Sequence, residues 1–436
     1  MKQLSISLLG FLLALSGGRL MAHEADEIHA ESNLSEVLHF GLLHNASIEA
    51  AHHRWEATKR RIPQARAWPD PKLTWSGFAR SVETRVGPQE HRIGFVQPLP
   101  WLKHLDASTG VAETGARAVY QEVLAAQLEM VREVKQLWHE LGWLEESIRV
   151  TEENLQLLKQ LEAVAQTRFK TGGDLGAVTK AQVELGRVQD QLASLMDRRT
   201  PLKARMNAWL GREADALLPA PTLSHALPGL PEEEHLFERQ RASHPVLQSI
   251  AMRMEREDHR EEEARLKGLP QFGIGFDYIV TGEARTPGVR DSGKDAAMAM
   301  VSVSLPLWRG KYRAMREEVA MERERLGAER RNAQLMLQAR LRTALYEYRD
   351  AGRKAGLYGQ SLLPQARSSL NVARRSYESG KGDFLDLIDA QRVLLNFELE
   401  ERRAIANRLK AHADIEMLAG GLGQSAVGTT TQEIQP

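Results

Sequence analysis

Most recognisable segments of the chain occur twice, in the same order, about 200 residues apart. Asn45-Ala46-Ser47-Ile48, Gln64-Ala65-Arg66 and Pro71-Lys72-Leu73 return as His244-Pro245-Val246-Leu247, Glu263-Ala264-Arg265 and Pro270-Gln271-Phe272, at a constant offset of 199. Val96-Gln97-Pro98-Leu99-Pro100-Trp101 pairs with Val303-Ser304-Leu305-Pro306-Leu307-Trp308 at an offset of 207, so a loop between these markers is eight residues longer in the second copy. Beyond it the offset is 208 to 209, with Lys381 the inserted residue, and Trp209-Leu210-Gly211 falls on Leu418-Ala419-Gly420. A tandem duplication narrows the choice of fold more than any single motif, because each copy must repeat one supersecondary unit. The organisation expected is a first repeat over 23–211, a Pro-rich linker over 212–234, a second repeat over 235–422 and a polar, disordered tail over 423–436.

Each copy carries the same elements. A helical segment, about Leu34–Trp68 or Pro231–Lys267, precedes two short strand candidates. The strands are expected at about 73–80 and 92–97, and at about 272–280 and 298–305. The loops between them hold Gly87-Pro88 in one copy and Gly282, Pro287-Gly288 and Gly293 in the other, which are hairpin breakers. Val301-Ser302-Val303-Ser304-Leu305 alternates apolar and polar residues, as a strand with two unlike faces requires.

A very long helix follows. Met130, Val134, Leu137, Leu141, Leu144, Ile148, Leu155 and Leu158 keep the 4-3 spacing of a heptad seam, with the polar Thr151 in one slot. A helix from Lys103 to about Arg168 would extend on the order of 100 Å at 1.5 Å per residue. Its counterpart spans Lys311 to Ser379, with a kink expected at Pro364. Charged runs such as Arg253–Arg265 and Arg316–Arg331 leave only a narrow apolar stripe, so these helices are wetted on more than one side.

Met1–Ala22 reads as a Sec-type signal peptide: Lys2, an apolar run from Leu4 to Leu15, then small residues. No other stretch approaches the roughly 18 apolar residues of a transmembrane helix. The chain has no cysteine, which excludes disulfides, thiolate metal sites and lipidation on Cys. Its 58 basic residues are balanced by 58 acidic ones, so a polybasic nucleic-acid binder is excluded and no nucleic-acid partner is expected. Neither a GxxxxGK[ST] loop nor a GxSxG elbow nor an HExxH pattern occurs, so no enzyme activity and no cofactor are expected.

Four amphipathic strands on an exported chain pose a closure problem. Strands cross lipid only as closed barrels, and single-chain barrels begin at about eight strands, so four need partner copies. Two chains would give eight strands and three would give twelve. The other reading of the residues is a soluble periplasmic coiled-coil protein whose strands form a small cap.

The pattern resembles the outer-membrane efflux proteins, the TolC-like family, over nearly all of the mature chain. The resemblance is carried by Leu43-His44-Asn45-Ala46-Ser47-Ile48, Trp68-Pro69-Asp70-Pro71-Lys72-Leu73 and Gln97-Pro98-Leu99-Pro100-Trp101. With them go Arg168-Phe169-Lys170-Thr171-Gly172-Gly173-Asp174 and Ser376-Tyr377-Glu378-Ser379-Gly380. It implies a mainly α fold with a small β part, a duplicated helix, β-hairpin and long-helix unit, and a homotrimer. The trimer would form a 12-strand barrel in outer-membrane lipid, continued by a periplasmic α-helical barrel. The implied function is a passive exit duct, docked by a periplasmic adaptor (membrane fusion) protein and an inner-membrane pump of the RND type. Pro98-Leu99-Pro100-Trp101 and Ala181-Gln182-Val183-Glu184-Leu185 resemble the heavy-metal cation efflux branch most. A drug-efflux or type I secretion duct is the alternative. Relatives of this branch often have a basic Gly-Lys after Pro-Trp; this chain has Leu102-Lys103-His104 in the first copy and Arg309-Gly310-Lys311 in the second. Many relatives carry a lipidated Cys, so this chain is expected to depend on its barrel for attachment.

The helical hairpin turns are expected at about 171–175 and 379–384. Gly172, Gly173, Gly380 and Gly382 suit reversals at positive φ, and Asp174 and Asp383 suit N-caps. The resemblance makes these turns the adaptor-docking tips. Asp386 and Asp389, three residues apart, share a helix face. Three copies would set six carboxylates around one axis, and the resemblance makes them a periplasmic gate, joined by Tyr377 and by Arg374 or Arg375. Their offset counterparts are Ala177 and Lys180, so the acidic pair occurs once per chain, and Ala177 stands where the family often has an acid. The amino end is rich in imidazole and carboxylate, with His23 and His29 as candidate metal ligands, although no spacing there defines a site.

Overall fold

The computed structural model describes residues 28–224, 226 and 229–421. The expected signal peptide, His23 and the expected tail past residue 422 lie outside them. The chain is mostly helical with one four-stranded sheet. In order, the elements are α1 Leu34–His44, α2 Ala46–Lys59, α3 Arg61–Arg66, β1 Lys72–Thr84, β2 Gly87–Leu99, α4 Leu102–Lys170, α5 Leu175–Asp197 and α6 Arg199–Trp209. The second half follows with α7 Glu233–Ser243, α8 Pro245–Lys267, β3 Gln271–Thr281, β4 Ala296–Ser304, α9 Arg309–Leu357, a π-turn Tyr358–Leu362, α10 Leu363–Glu378 and α11 Phe384–Leu418.

The leading helical segment of each copy is broken where sequence reading expected it continuous. Asn45 ends α1 in an extended conformation (φ −70°, ψ 119°) and its side chain accepts the amides of Ser47 and Ile48, starting α2 afresh. His244 breaks the second segment at the equivalent position, because the residue before Pro245 is driven out of the helical region. The strands also run longer than expected. Gly87-Pro88 was expected to break the hairpin, yet it opens β2, since Pro88 needs no ladder donor there and its carbonyl accepts the Gly282 amide at 2.8 Å. Gly87 has φ +139°, and a Cβ on it would lie 1.8 Å from the Gly282 oxygen, so only glycine fits. At Pro364 the expected disturbance takes the form of the π-turn immediately before it, which accommodates the missing amide and the bulky ring by widening one turn.

Two compact units can be described, and each draws on both repeats. One consists of the chain up to Ala50, Leu124–His244 and the part from Gln334 onward; the other of Ala51–Val123 and Pro245–Ala333. In the first, every apolar residue of the expected heptad seam, from Met130 to Leu158, is buried. Thr151 is buried among them because its hydroxyl donates to the Ser147 carbonyl at 2.7 Å, satisfying the one polar slot within the helix. Beside this seam Glu140 is buried and accepts bonds from Arg198, Arg403 and Lys410 at 2.9, 2.9 and 3.0 Å. Burial acts to raise the Glu140 carboxyl, but Lys410 and Arg403 outweigh it and hold it below the ordinary value. The duplication is visible in packing. Gly211 (φ +69°) lies against His44, and Gly420 (φ +79°) against Ser243, so the same close approach recurs at the 199 and 209 offsets.

In the second unit the sheet is antiparallel in the order β1-β2-β3-β4, so β1 and β4 are edges. The register aligns Leu73 with Phe95, Phe95 with Phe276, and Phe276 with Ala299. Leu73, Trp75, Ile93, Phe95, Phe272, Ile274, Phe276, Val301 and Val303 therefore share one face, and all of them are exposed. The opposite face carries Thr74, Gly94 and Asp277, which takes a 2.5 Å bond from Arg92.

Candidate functional site

The two helical hairpin turns are built alike. After α4 the chain reverses through Gly172 at φ +96°, with the amides of Gly172 and Gly173 donating to the carbonyls of Phe169 and Arg168 at 3.1 and 2.9 Å. Asp174 then accepts the Gly176 amide at 2.8 Å and caps α5. After α10, Gly380 reverses at φ +77°, and the amides of Lys381 and Gly382 both donate to the Ser376 carbonyl at 3.0 Å. Asp383 caps α11 by accepting the Leu385 amide at 3.1 Å. Helix ends leave carbonyls and amides without intrahelical partners, and these glycines and aspartates satisfy them.

The two turns touch. Arg168 donates to the Glu378 carbonyl at 2.8 Å, and its guanidinium lies 4.3 Å from the centre of the Tyr377 ring. Tyr377 packs edge-on against Phe384 at 5.2 Å and is buried, and that burial raises its hydroxyl above the ordinary value. Tyr377, expected as a gate residue, is packed in the core formed by the two hairpins. Around this core Phe169, Leu175 and Leu385 remain exposed, an apolar rim that the motif reading did not single out.

Asp386 and Asp389 line an open groove between α10 and α11, with Ser369, Val372, Lys381 and Val393. The pair is not equivalent. Asp389 accepts from Arg392 at 3.3 Å, and the other end of the same guanidinium donates to Glu184 of α5 at 2.8 Å. Glu184 is buried and also takes a 2.5 Å bond from Arg187. Burial acts to raise its carboxyl, but the two arginines outweigh burial and lower it. The sequence signal for Glu184 was a charge in the apolar row Ala177, Ala181, Leu185 and Val188, all buried. Ala177, the offset counterpart of Asp386, is part of that core. Arg374 faces Glu378 at 3.9 Å, and Arg375 supplies its carbonyl to the Ser379 amide.

His29 is exposed, and its amide donates to the Ser32 hydroxyl at 3.0 Å. Among the described residues no group of three or more His, Asp or Glu side chains is placed to hold a metal ion, and no helix is long and apolar enough to cross a membrane.

Comparison with known proteins identifies the architecture. The cobalt-zinc-cadmium resistance protein CzcC of Cupriavidus metallidurans is 23% identical over 385 residues, 86% of this chain and 87% of that protein. Among solved structures, the outer membrane protein VceC of Vibrio cholerae superposes with a TM-score of 0.73 at 17% identity, covering 89% of this chain and 96% of that one. CusC gives 0.75 at 15% identity, covering 89% and 92%. The open state of the MtrE outer membrane channel of Neisseria gonorrhoeae gives 0.72 at 17%, covering 89% of both. Residues 38–212 and 236–421 match the outer membrane efflux protein family, and the chain belongs to it.

Proposed function

From this family membership we propose that the chain is the outer-membrane exit duct of a three-part efflux machine, and that its cargo is heavy-metal cations. The observation that carries the duct is the sheet. It is apolar and exposed on one face, carries Thr74, Arg92 and Asp277 among mixed residues on the other, and is unpaired at both edge strands. Open edges cannot stand in hydrocarbon, since each unpaired amide and carbonyl there costs several kcal/mol. Three copies joined β4 to β1 close a 12-strand barrel whose apolar face meets lipid and whose Asp277 face meets water.

The helical tips serve the periplasmic end. Phe169, Leu175 and Leu385 beside the capped turns offer an apolar rim to an adaptor protein, which links the duct to an inner-membrane pump of the RND type. Asp386, with Asp389 behind it, forms an acidic gate. The cargo rests on the likeness to CzcC, whose name ties that protein to cobalt, zinc and cadmium resistance. Metals enter this reading as substrate.

Deleting the gene should sensitise cells to Co, Zn or Cd, and restoring it should rescue growth. Unchanged metal tolerance with raised dye or drug sensitivity would move the cargo to drugs. Recovery of the protein wholly in the soluble periplasm, with no detergent-stable oligomer, would reject the duct.

A further inference from the structure

The helix-bearing end of the sheet carries a row of tryptophans followed by a row of cations. Register sets Lys72, Leu99, Gln271 and Ser304 at the same end of the four strands, and Gln97 reinforces the alignment by donating to the Pro69 carbonyl at 2.9 Å. Trp68 lies four residues before β1, Trp101 two after β2, and Trp308 four after β4. All three are exposed, Trp308 by 81%, and so are Leu102, Leu305 and Leu307. Trp101 fixes the level of the row, because its indole donates to the Pro270 carbonyl at 2.9 Å and packs edge-on to Phe272 of the apolar face.

Two residues further toward the helices stand Arg66 and Lys103; Arg309 and Lys311 stand one and three past Trp308. Among the described residues no carboxylate lies within salt-bridge distance of Arg66, Arg309 or Lys311. Lys103 acts on the nearby Glu262 through space, but the close ion pair of Glu262 is with Arg265 at 2.6 Å and no close pair to Lys103 is found among the described residues. Three of the four sheet-to-helix crossings thus repeat one order: apolar strand face, indole, cation with no close ion pair among the described residues.

We propose that this row binds the anionic headgroups of glycerophospholipids in the periplasmic leaflet, with indoles at the acyl boundary and Arg66, Lys103, Arg309 and Lys311 on the phosphates. The inference rests on the outer-membrane reading above and adds a lipid preference to it. Amphipathic rings favour the boundary between hydrocarbon and headgroups, and long basic side chains reach past it to phosphate. The order of ring and charge along each crossing matches that polarity, whereas a protein-docking patch would need no such order. Joining β4 to β1 of a second copy would carry the row from Trp308 to the next Trp68 without a gap.

The test uses the full chain reconstituted in vesicles, with tryptophan quenching by dibrominated phosphatidylglycerol compared with dibrominated phosphatidylcholine. Each cation at an anionic surface favours the anionic lipid about fivefold, so the wild type should show a clear preference for phosphatidylglycerol. The variant R66Q/K103Q/R309Q/K311Q should fall toward parity. The exposed single variants Arg309→Gln and Lys311→Gln give intermediate values and serve if the fourfold variant misassembles. Equal quenching by the two lipids in the wild type, or a preference unchanged by these substitutions, overturns the proposal. Protease protection is scored in parallel: a chain that inserts without preferring the anionic lipid loses only the lipid site, whereas one that never inserts loses the duct as well.

Discussion

Arg392 joins Glu184 across 208 residues of chain, tying α11 to α5 with a 2.8 Å bond to a carboxylate that is almost wholly buried. The two helices belong to different repeats, so this contact couples the two hairpins just behind their tips. Glu184→Gln keeps the shape but removes the buried charge that Arg187 and Arg392 share, leaving Arg392 with Asp389 alone. It should lower the stability of the purified assembly by about 2 kcal/mol in denaturant melts, the range for breaking a charged, partly buried bond. Arg392→Gln should then add much less on top of it than alone, because both remove one interaction. Full additivity in that cycle would show the pair to be uncoupled.

The same guanidinium makes the two acids of the proposed gate unequal. Asp389 shares Arg392 with Glu184, while no ion pair to Asp386 is found among the described residues. In bilayer conductance, Asp386→Asn should therefore weaken block by a trivalent cation about fivefold or more, from the loss of roughly 1 kcal/mol per close carboxylate in a wet site. Asp389→Asn should weaken it less. Equal block in wild type and both variants would remove these residues from the conduction path.

The repeat, the strand-helix order and the heptad seam were legible because periodic burial leaves a periodic sequence. Met130 to Leu158 could be read as one stripe since every apolar residue of it is buried on one side of the helix, first in one core cluster and then in the next. What escaped reading depends on particular neighbours. Asn45 and His244 break their helices by side-chain capping and by a following proline, which a helical pattern averages over. Gly87 looked like a loop glycine, but its constraint comes from the Gly282 oxygen, a residue 195 positions away. Tyr377 takes its surroundings from Arg168 of α4, and the arginine beside Asp389 is shared with Glu184 of α5, helices whose pairing no local pattern states.

Positive φ alone and positive φ with a close neighbour should separate cleanly. At Gly172, φ is +96° and nothing would meet a Cβ within 4 Å. Gly172→Ala should cost about 1 kcal/mol, the strain of a left-handed residue. At Gly211 a Cβ would also lie 2.2 Å from the His44 carbonyl oxygen, so the backbone must move. Gly211→Ala should cost about 3 kcal/mol or fail to assemble, as overpacking adds to strain. Calorimetric melting of the two variants side by side gives the comparison, and equal losses would contradict the contact.

Mild acid should destabilise the chain before its carboxylates titrate. His139 is pushed down to about 4, first by burial and then by Lys135, His412 and Lys410, and its Nδ1 is buried without a hydrogen-bond partner among the described residues. In the unfolded chain a histidine takes up its proton near pH 6.5. Between pH 6.5 and about 4 the unfolded state therefore binds a proton that the native state refuses, and stability falls as pH falls. The loss is on the order of 3 kcal/mol by the lower end of that window. His412, also lowered chiefly by burial, adds a slope of the same sign, whereas Glu140, held below its ordinary value, contributes only at more acid pH. His139→Leu should accordingly flatten the stability profile between pH 6.5 and 4.5 without abolishing the slope, and leave the steeper fall below it. A profile that keeps its full slope in the variant would place the proton uptake elsewhere.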